Sequence, residues 1–133
     1  MVRGPACRPL PPGSLAGRVC IVTGSNAGIG FETAEALARV GGQVIFACRS
    51  ESRARAAMQL LLQRARGAGV REEQLHFLQL DLASLASVRR FAARFREMGM
   101  GLHLLVLNAG LMLRTRTESE DGFEMTLAAN HFG

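Results

Sequence analysis

The chain contains no lysine, no tyrosine and no tryptophan, and all 16 of its basic residues are arginine. Any chemistry that needs a lysine amine or a tyrosine phenol is therefore excluded from these residues. Aromatic residues amount to 5%, all of them phenylalanine, so the arginines are not interleaved with the stacking rings that single-stranded nucleic acids require. Arg64, Arg66 and Arg71, and the group Arg89, Arg90, Arg94 and Arg96, accordingly read as solvated helix faces, with no nucleic-acid partner. The three cysteines, Cys7, Cys20 and Cys48, lack the C-x-x-C spacing of a zinc or redox site. The histidines His76, His103 and His131 lack the i, i+3 or i, i+4 pairing of helical metal ligands, so no metal site is expected. No apolar run has the length of a membrane span, and the first residues lack the apolar segment of a secretory signal. Residues 1–14 instead hold all 4 prolines, Pro5, Pro9, Pro11 and Pro12. A flexible leader is expected there, because prolines break the amphipathic helix of a transit peptide.

What remains is enough for one globular domain: 133 residues, 48% hydrophobic and 20% charged. The net charge of +5 favours an anionic ligand such as a phosphate. From Leu15 onward, short apolar runs at 19–22, 44–47, 77–80 and 104–107 alternate with stretches of helical period. Continuous apolar character is what parallel strands buried on both faces need. Between the runs, Ala34, Leu37 and Ala38 share one helical face, as do Ala54, Met58, Leu61, Leu62 and Ala65. Leu85, Val88, Phe91, Ala92, Phe95 and Met98 form a third stripe. Gly41 and Gly42 are expected to end the first helix; Ser50 caps the second, and Gly67 with Gly69 ends it. A last helix is expected to open near Asp121 and run through Phe123, Met125, Leu127 and Ala128 into Asn130. Glu35 and Arg39, at i and i+4, read as a surface pair of little energetic value. The rhythm predicts an α/β fold with a doubly wound parallel sheet of the Rossmann type, about four strands in the order 3-2-1-4 over residues 15–133.

Directly after the first run comes Thr23-Gly24-Ser25-Asn26-Ala27-Gly28-Ile29-Gly30, and a helix follows. Gly24 permits the sharp turn out of the strand, Gly28 lets backbone approach a pyrophosphate, and Gly30 lets the helix pack close to the sheet. The free N–H groups at that helix end then face the anion. At the end of the second strand stands Arg49, followed by Ser50. An acidic residue there would grip the ribose hydroxyl of NAD, whereas an arginine accommodates a 2′-phosphate, so NADP(H) is expected over NAD(H).

The 23–30 segment, Asp81-Leu82 after the third strand, Asn108-Ala109-Gly110 after the fourth and Asn130 beyond them resemble the short-chain dehydrogenase/reductase family, in its order and at its separations. Ala47-Cys48-Arg49, Leu80-Asp81-Leu82-Ala83-Ser84 and Asp121-Gly122-Phe123-Glu124 leading to Asn130 resemble the branch of retinol dehydrogenases and the WW-domain oxidoreductase. The resemblance implies that Asp81 binds the adenine amino group with Leu82 beside the ring. It also implies that Asn108, Ala109 and Gly110 line the nicotinamide ribose and stabilise the sheet. Asn130 would be the first member of a catalytic tetrad, holding a water in a proton relay. The family's tyrosine and lysine, which supply the general acid/base and its electrostatic activation, have no counterpart here.

The resemblance thus implies the cofactor-binding part of an NADP-dependent enzyme interconverting an alcohol and a carbonyl, with a retinoid, steroid or other lipid-like substrate. The alternative is a catalytically inactive short form acting as a nucleotide-binding or interaction module. A fourth strand without a further neighbour would expose an apolar edge inviting self-association. The expected location is cytoplasmic, with membrane association at the endoplasmic reticulum or a mitochondrial location as alternatives.

Overall fold

In the computed structural model, which describes residues 10–133, each apolar run becomes a strand and each stripe a helix. The order is β1 (Val19–Thr23), α1 (Gly28–Arg39), β2 (Gln43–Cys48), α2 (Glu51–Arg64), a 3₁₀ turn (Glu72–Gln74), β3 (Leu75–Gln79), α3 (Leu85–Glu97), β4 (Leu104–Val106) and α4 (Met125–Leu127), which widens into a π-helical turn (Ala128–Phe132). The strands form one sheet in the order β3-β2-β1-β4, and every pair is parallel. Register is set by the centre of the sheet: Ile21 of β1 lies opposite Ile45 of β2 and Leu105 of β4.

Because successive side chains of a strand point to opposite faces, the sheet feeds two cores. Val22, Val44, Phe46 and Cys48 pack against Phe31, Ala34 and Ala38 of α1 and Ala54, Ala57 and Leu61 of α2. Val19, Ile21, Ile45 and Ala47 face the other way, where Val88, Phe91 and Phe95 of α3 cover them. Small residues on the inner faces of α1 and α2 let those helices sit close to the sheet, and Phe46 and Leu61 have no exposed surface at all. Ser50 caps α2 by accepting from the Arg53 N–H at 3.4 Å, and Ser84 caps α3 by accepting from Ser87 at 3.2 Å.

Several boundaries and one contact differ from the sequence reading. The third strand starts at Leu75 and ends at Gln79, earlier than 77–80, and the fourth stops at Val106. α2 ends at Arg64 with Ala65 as its C-cap, before Gly67 and Gly69. The last helix opens at Met125, not near Asp121. Residues 118–124 instead close on themselves, with Ser119 N–H donating to the Phe123 carbonyl at 2.8 Å and Gly122 in the left-handed region at φ 79°. Burial on both faces holds for β1 and β2 only, since β4 pairs with β1 alone and leaves Leu104 and Leu105 exposed.

Glu35 is not a surface residue. Its side chain is 7% exposed and is gripped by Arg39 at 2.7 Å and by Arg64 of α2 at 3.1 Å, while Arg64 also pairs with Glu32 and lies over the Phe31 ring. The pair is thus part of a clamp between α1 and α2, and the Glu32 hydrogen bond raises the Arg64 pKa. At the chain's start, residues 1–9 of the expected leader lie outside the described residues. Beyond them, Leu15 N–H bonds the Val40 carbonyl at 3.0 Å and so ties the entry segment to the end of α1. No helix among the described residues is long and apolar enough to cross a membrane.

Candidate functional site

In a parallel sheet the carboxyl ends of the strands leave a crevice where the chain order reverses, here between β1 and β4. A cleft of about 240 Å³ occupies that position. Its floor is the glycine turn after β1, with Gly24 and Asn26. One wall is the end of β2 from Ala47 to Ser50, another is the 80–83 segment after β3, and Ala109, Gly110 and Leu111 close it beyond β4.

The glycine turn is shaped by conformation and by contact. Gly24 and Gly28 have φ values of 65° and 56°, where side chains are strained. A Cβ at Gly28 would meet nothing within 4 Å, leaving open space beside the backbone, whereas a Cβ at Gly30 would collide with the Asn108 amide and lie 2.5 Å from the Gly24 carbonyl. Gly30 is therefore required by packing against the loop after β4. The N-terminus of α1 then lies bare: Ala27 offers no side-chain cap and the first turn holds no acidic residue. A helix start of this kind carries unsatisfied N–H groups and a partial positive charge, which suits a phosphate.

Thr23, Ser25 and Asn108 stand beneath the cleft and serve its construction. The Thr23 hydroxyl accepts from Asn108 N–H at 3.0 Å and from Ala109 N–H at 2.9 Å, and donates to the Val106 carbonyl at 3.4 Å, so its whole hydrogen-bonding capacity is used. Asn108 answers by donating its amide to the Thr23 carbonyl at 2.9 Å. Ser25 is fully buried, 3.4 Å from the Cys48 sulfur. Ile29, 81% exposed, projects from the first turn of α1.

Arg49 and Ser50 line the opposite wall together with Arg53, one turn into α2. Neither arginine has an ion-pair partner among the described residues, so two unpaired arginines and the start of α2 share this wall of the cleft. Arg53 was missed by sequence reasoning, although its spacing of four from Arg49 and its place after the Ser50 cap would have located it. Ala47, Cys48, Leu80, Ala83, Leu111 and Ala129 were missed as lining residues too; as small or apolar side chains they carry no chemical signal of their own.

Asp81 and Leu82 lie in the cleft wall. Asp81 does not cap α3, which is the task of Ser84; it accepts from Ala83 N–H through Oδ1 at 3.0 Å, while its own N–H donates to Ser87 Oγ at 3.0 Å. Asn130 reaches Leu111 from α4's extension. Its Oδ1 accepts from Leu111 N–H and its Nδ2 donates to the Leu111 carbonyl, both at 2.8 Å. The side chain therefore acts on the turn after β4, and Gly110 lies beside it because a Cβ there would stand 3.6 Å from Oδ1.

A family model described as short chain dehydrogenase matches residues 18–133. Polyprenol dehydrogenase of Mus musculus is 50% identical over 124 residues, which are 93% of this chain and 35% of that protein. The WW domain-containing oxidoreductase of Gallus gallus is 45% identical over 119 residues, 90% of this chain and 28% of that protein. The chain thus spans about a third of the length of these relatives. Among solved structures, an NADPH-bound short chain oxidoreductase of Pseudomonas aeruginosa superimposes with a TM-score of 0.63 at 35% identity, covering 75% of this chain and 37% of that one. With the sheet order, the glycine turn and the Asn130 clasp already in place, the match over nearly the whole chain means that it belongs to the short-chain dehydrogenase family.

Proposed function

We propose that this chain is the NADP(H)-binding part of an oxidoreductase that interconverts an alcohol and a carbonyl. The observation that carries the cofactor preference is the pair Arg49 and Arg53, without acidic partners, at the end of the cleft where an NAD-binding site would need a carboxylate for the ribose. Bare α1 N–H groups provide for the pyrophosphate, and Asp81 with Leu82 for the adenine. Asn108, Ala109 and Gly110 shape the nicotinamide end, and Asn130 holds that turn through Leu111. When bound, a nicotinamide cofactor supplies hydride transfer, and the residues described here orient it. A lipid-like alcohol is the proposed substrate class, supported by the likeness to polyprenol dehydrogenase.

The tyrosine and lysine that carry proton transfer in this family have no counterpart among these residues, since the chain has no tyrosine and no lysine. Residues 1–133 alone should therefore bind cofactor without reducing a carbonyl. The test is a fluorescence titration of NADPH and NADH against the wild type and Arg49→Ala. The wild type should favour NADPH, and the variant should lose about tenfold in NADPH affinity, the scale of one charge-assisted bond, with NADH little changed. An unchanged ratio of the two affinities would overturn the assignment.

A further inference from the structure

We infer that Asp121 and Glu120 are positioning residues for the cofactor cleft: by seating residues 118–124 on the N-terminus of α3, their carboxylates fix the helix through which Asn130 holds the Leu111 turn. The inference rests on the cofactor reading and adds to it a second set of residues, outside the cleft, that set the geometry of its nicotinamide end.

α3 is a 13-residue helix whose own first turn contains no acidic residue. Its exposed N-terminal charge is answered from elsewhere in the chain. Asp121 Oδ2 accepts from Leu85 N–H at 2.8 Å, and Ser84 Oγ donates to Glu120 Oε1. Two carboxylates at a helix start are stabilised by the helix dipole and by the donors they receive, here the Leu85 N–H for Asp121 and the Ser84 hydroxyl for Glu120. They bring with them a small closed turn, in which Phe123 N–H also bonds Ser119 Oγ at 3.3 Å, with Ser119 itself buried.

From that turn the chain enters α4 directly. Met125 N–H is anchored on the Thr117 carbonyl at 2.9 Å, and the Phe123 ring packs at a tilt of 48° against Phe132 at the far end with centroids 4.7 Å apart. The helix is thus held to the seated turn at both ends, and what it carries is Asn130 with its two bonds to Leu111. Three hydrogen bonds and the chain that follows them link the segment after β3 to the Asn130 clasp. Asp81 on the adenine side bonds Ser87, Ser87 bonds Ser84, Ser84 bonds Glu120, and the seated turn leads through α4 to Asn130 and Leu111. Neither acidic residue lines the cleft, so each acts through others.

The experiment compares wild type, Asp121→Ala and Asp121→Asn by two readouts. The first is binding of NADPH against binding of adenosine 2′,5′-bisphosphate, which has no nicotinamide riboside and so reaches only the Arg49, Asp81 and α1 part of the cleft. Asp121→Ala should weaken NADPH by about fivefold or more, the scale of one lost bond to a charged group, while the bisphosphate stays within about twofold. Asp121→Asn retains an oxygen acceptor for Leu85 N–H and should recover most of the loss. The second readout needs no ligand: amide exchange at Leu111, whose N–H Asn130 holds, should accelerate in Asp121→Ala and return toward wild type in Asp121→Asn. Equal loss of both compounds, no loss of NADPH, or unchanged exchange at Leu111 in Asp121→Ala would each overturn the positioning role. Failure of the wild type to bind either compound would overturn the cofactor reading and the inference's link to it, while the exchange result separately judges the seating.

Discussion

The two sides of the sheet's switch point are built by different means. On one side, β1 and β2 are buried along nearly their whole length and sandwiched between α1 with α2 on one face and α3 on the other. On the other side, β4 is three residues long, Leu104 and Leu105 remain exposed, and the 107–133 segment is tied to the rest by hydrogen bonds to Thr23, Ser84 and Leu85. The first half is fixed by hydrophobic packing, which is non-directional and needs many contacts. The second is fixed to the rest by a few directional bonds to Thr23, Ser84 and Leu85 and braced within itself by the Asn130–Leu111 pair, each of which matters individually.

The sharpest way to break this comparison is to truncate one large apolar side chain on each side. Phe46→Ala removes a fully buried ring from the core between β2, α1 and α2, and should cost about 3–5 kcal/mol by loss of transfer energy and the cavity left behind. Leu105→Ala on β4, where the side chain is 47% exposed, should cost less than about 1 kcal/mol. Urea denaturation of the two variants checks both; similar losses would mean that the β4 side is packed as tightly as the core.

The same division explains what was legible in the sequence. Strands and helices of the packed half announce themselves by apolar runs and stripes, and the glycine turn between them, with Arg49 at the end of β2, could be placed by position. In the directional half the fourth strand showed as an apolar run, but the places of Asn108 and Asn130 in the site could be reached only by family resemblance. Nothing in the order of residues shows that Thr23 spends its hydroxyl on the loop after β4, or that Asp121 serves α3 and not a helix of its own. Apolar character at Phe123 and Met125 suggested a helix face, but Gly122 and the bonds of Ser119 close a turn first. Glu35 was misread for a related reason: its i+4 partner Arg39 is local and visible, whereas Arg64, which draws it into the clamp, comes from the next helix.

A smaller expected effect lies at the joint between the two halves. Thr23→Val keeps the shape of the side chain but leaves Ala109 N–H, and one bond to Asn108 N–H, without their acceptor. The cost should be about 1–3 kcal/mol, as for an unsatisfied buried group, with Thr23→Ser retaining most of the stability. Cofactor affinity should fall in parallel, because Ala109 and Gly110 line the cleft. If Thr23→Val were as stable as wild type, the joint would have to be held by packing.

The smallest effect concerns acid, and it separates the halves without mutation. Glu124 receives Thr126 N–H at 3.0 Å and Leu127 N–H at 2.9 Å at the start of α4, and these backbone bonds hold its carboxyl below the usual 4.5. A depressed carboxylate pKa stabilises the folded form fully above its unfolded value and loses that contribution as the pH falls through the folded one. Below pH 4.5, therefore, the cap of α4 should loosen while β2, whose six residues include no carboxylate, keeps its packing. Amide exchange at Thr126 and Leu127, corrected for its intrinsic pH dependence, should rise in that range ahead of exchange in β2. Glu124→Gln, whose amide oxygen does not titrate, should abolish the pH dependence at those two amides. If β2 and the α4 cap loosened together on acidification, the two halves would be one cooperative unit, and packing on one side could no longer be treated apart from hydrogen bonding on the other.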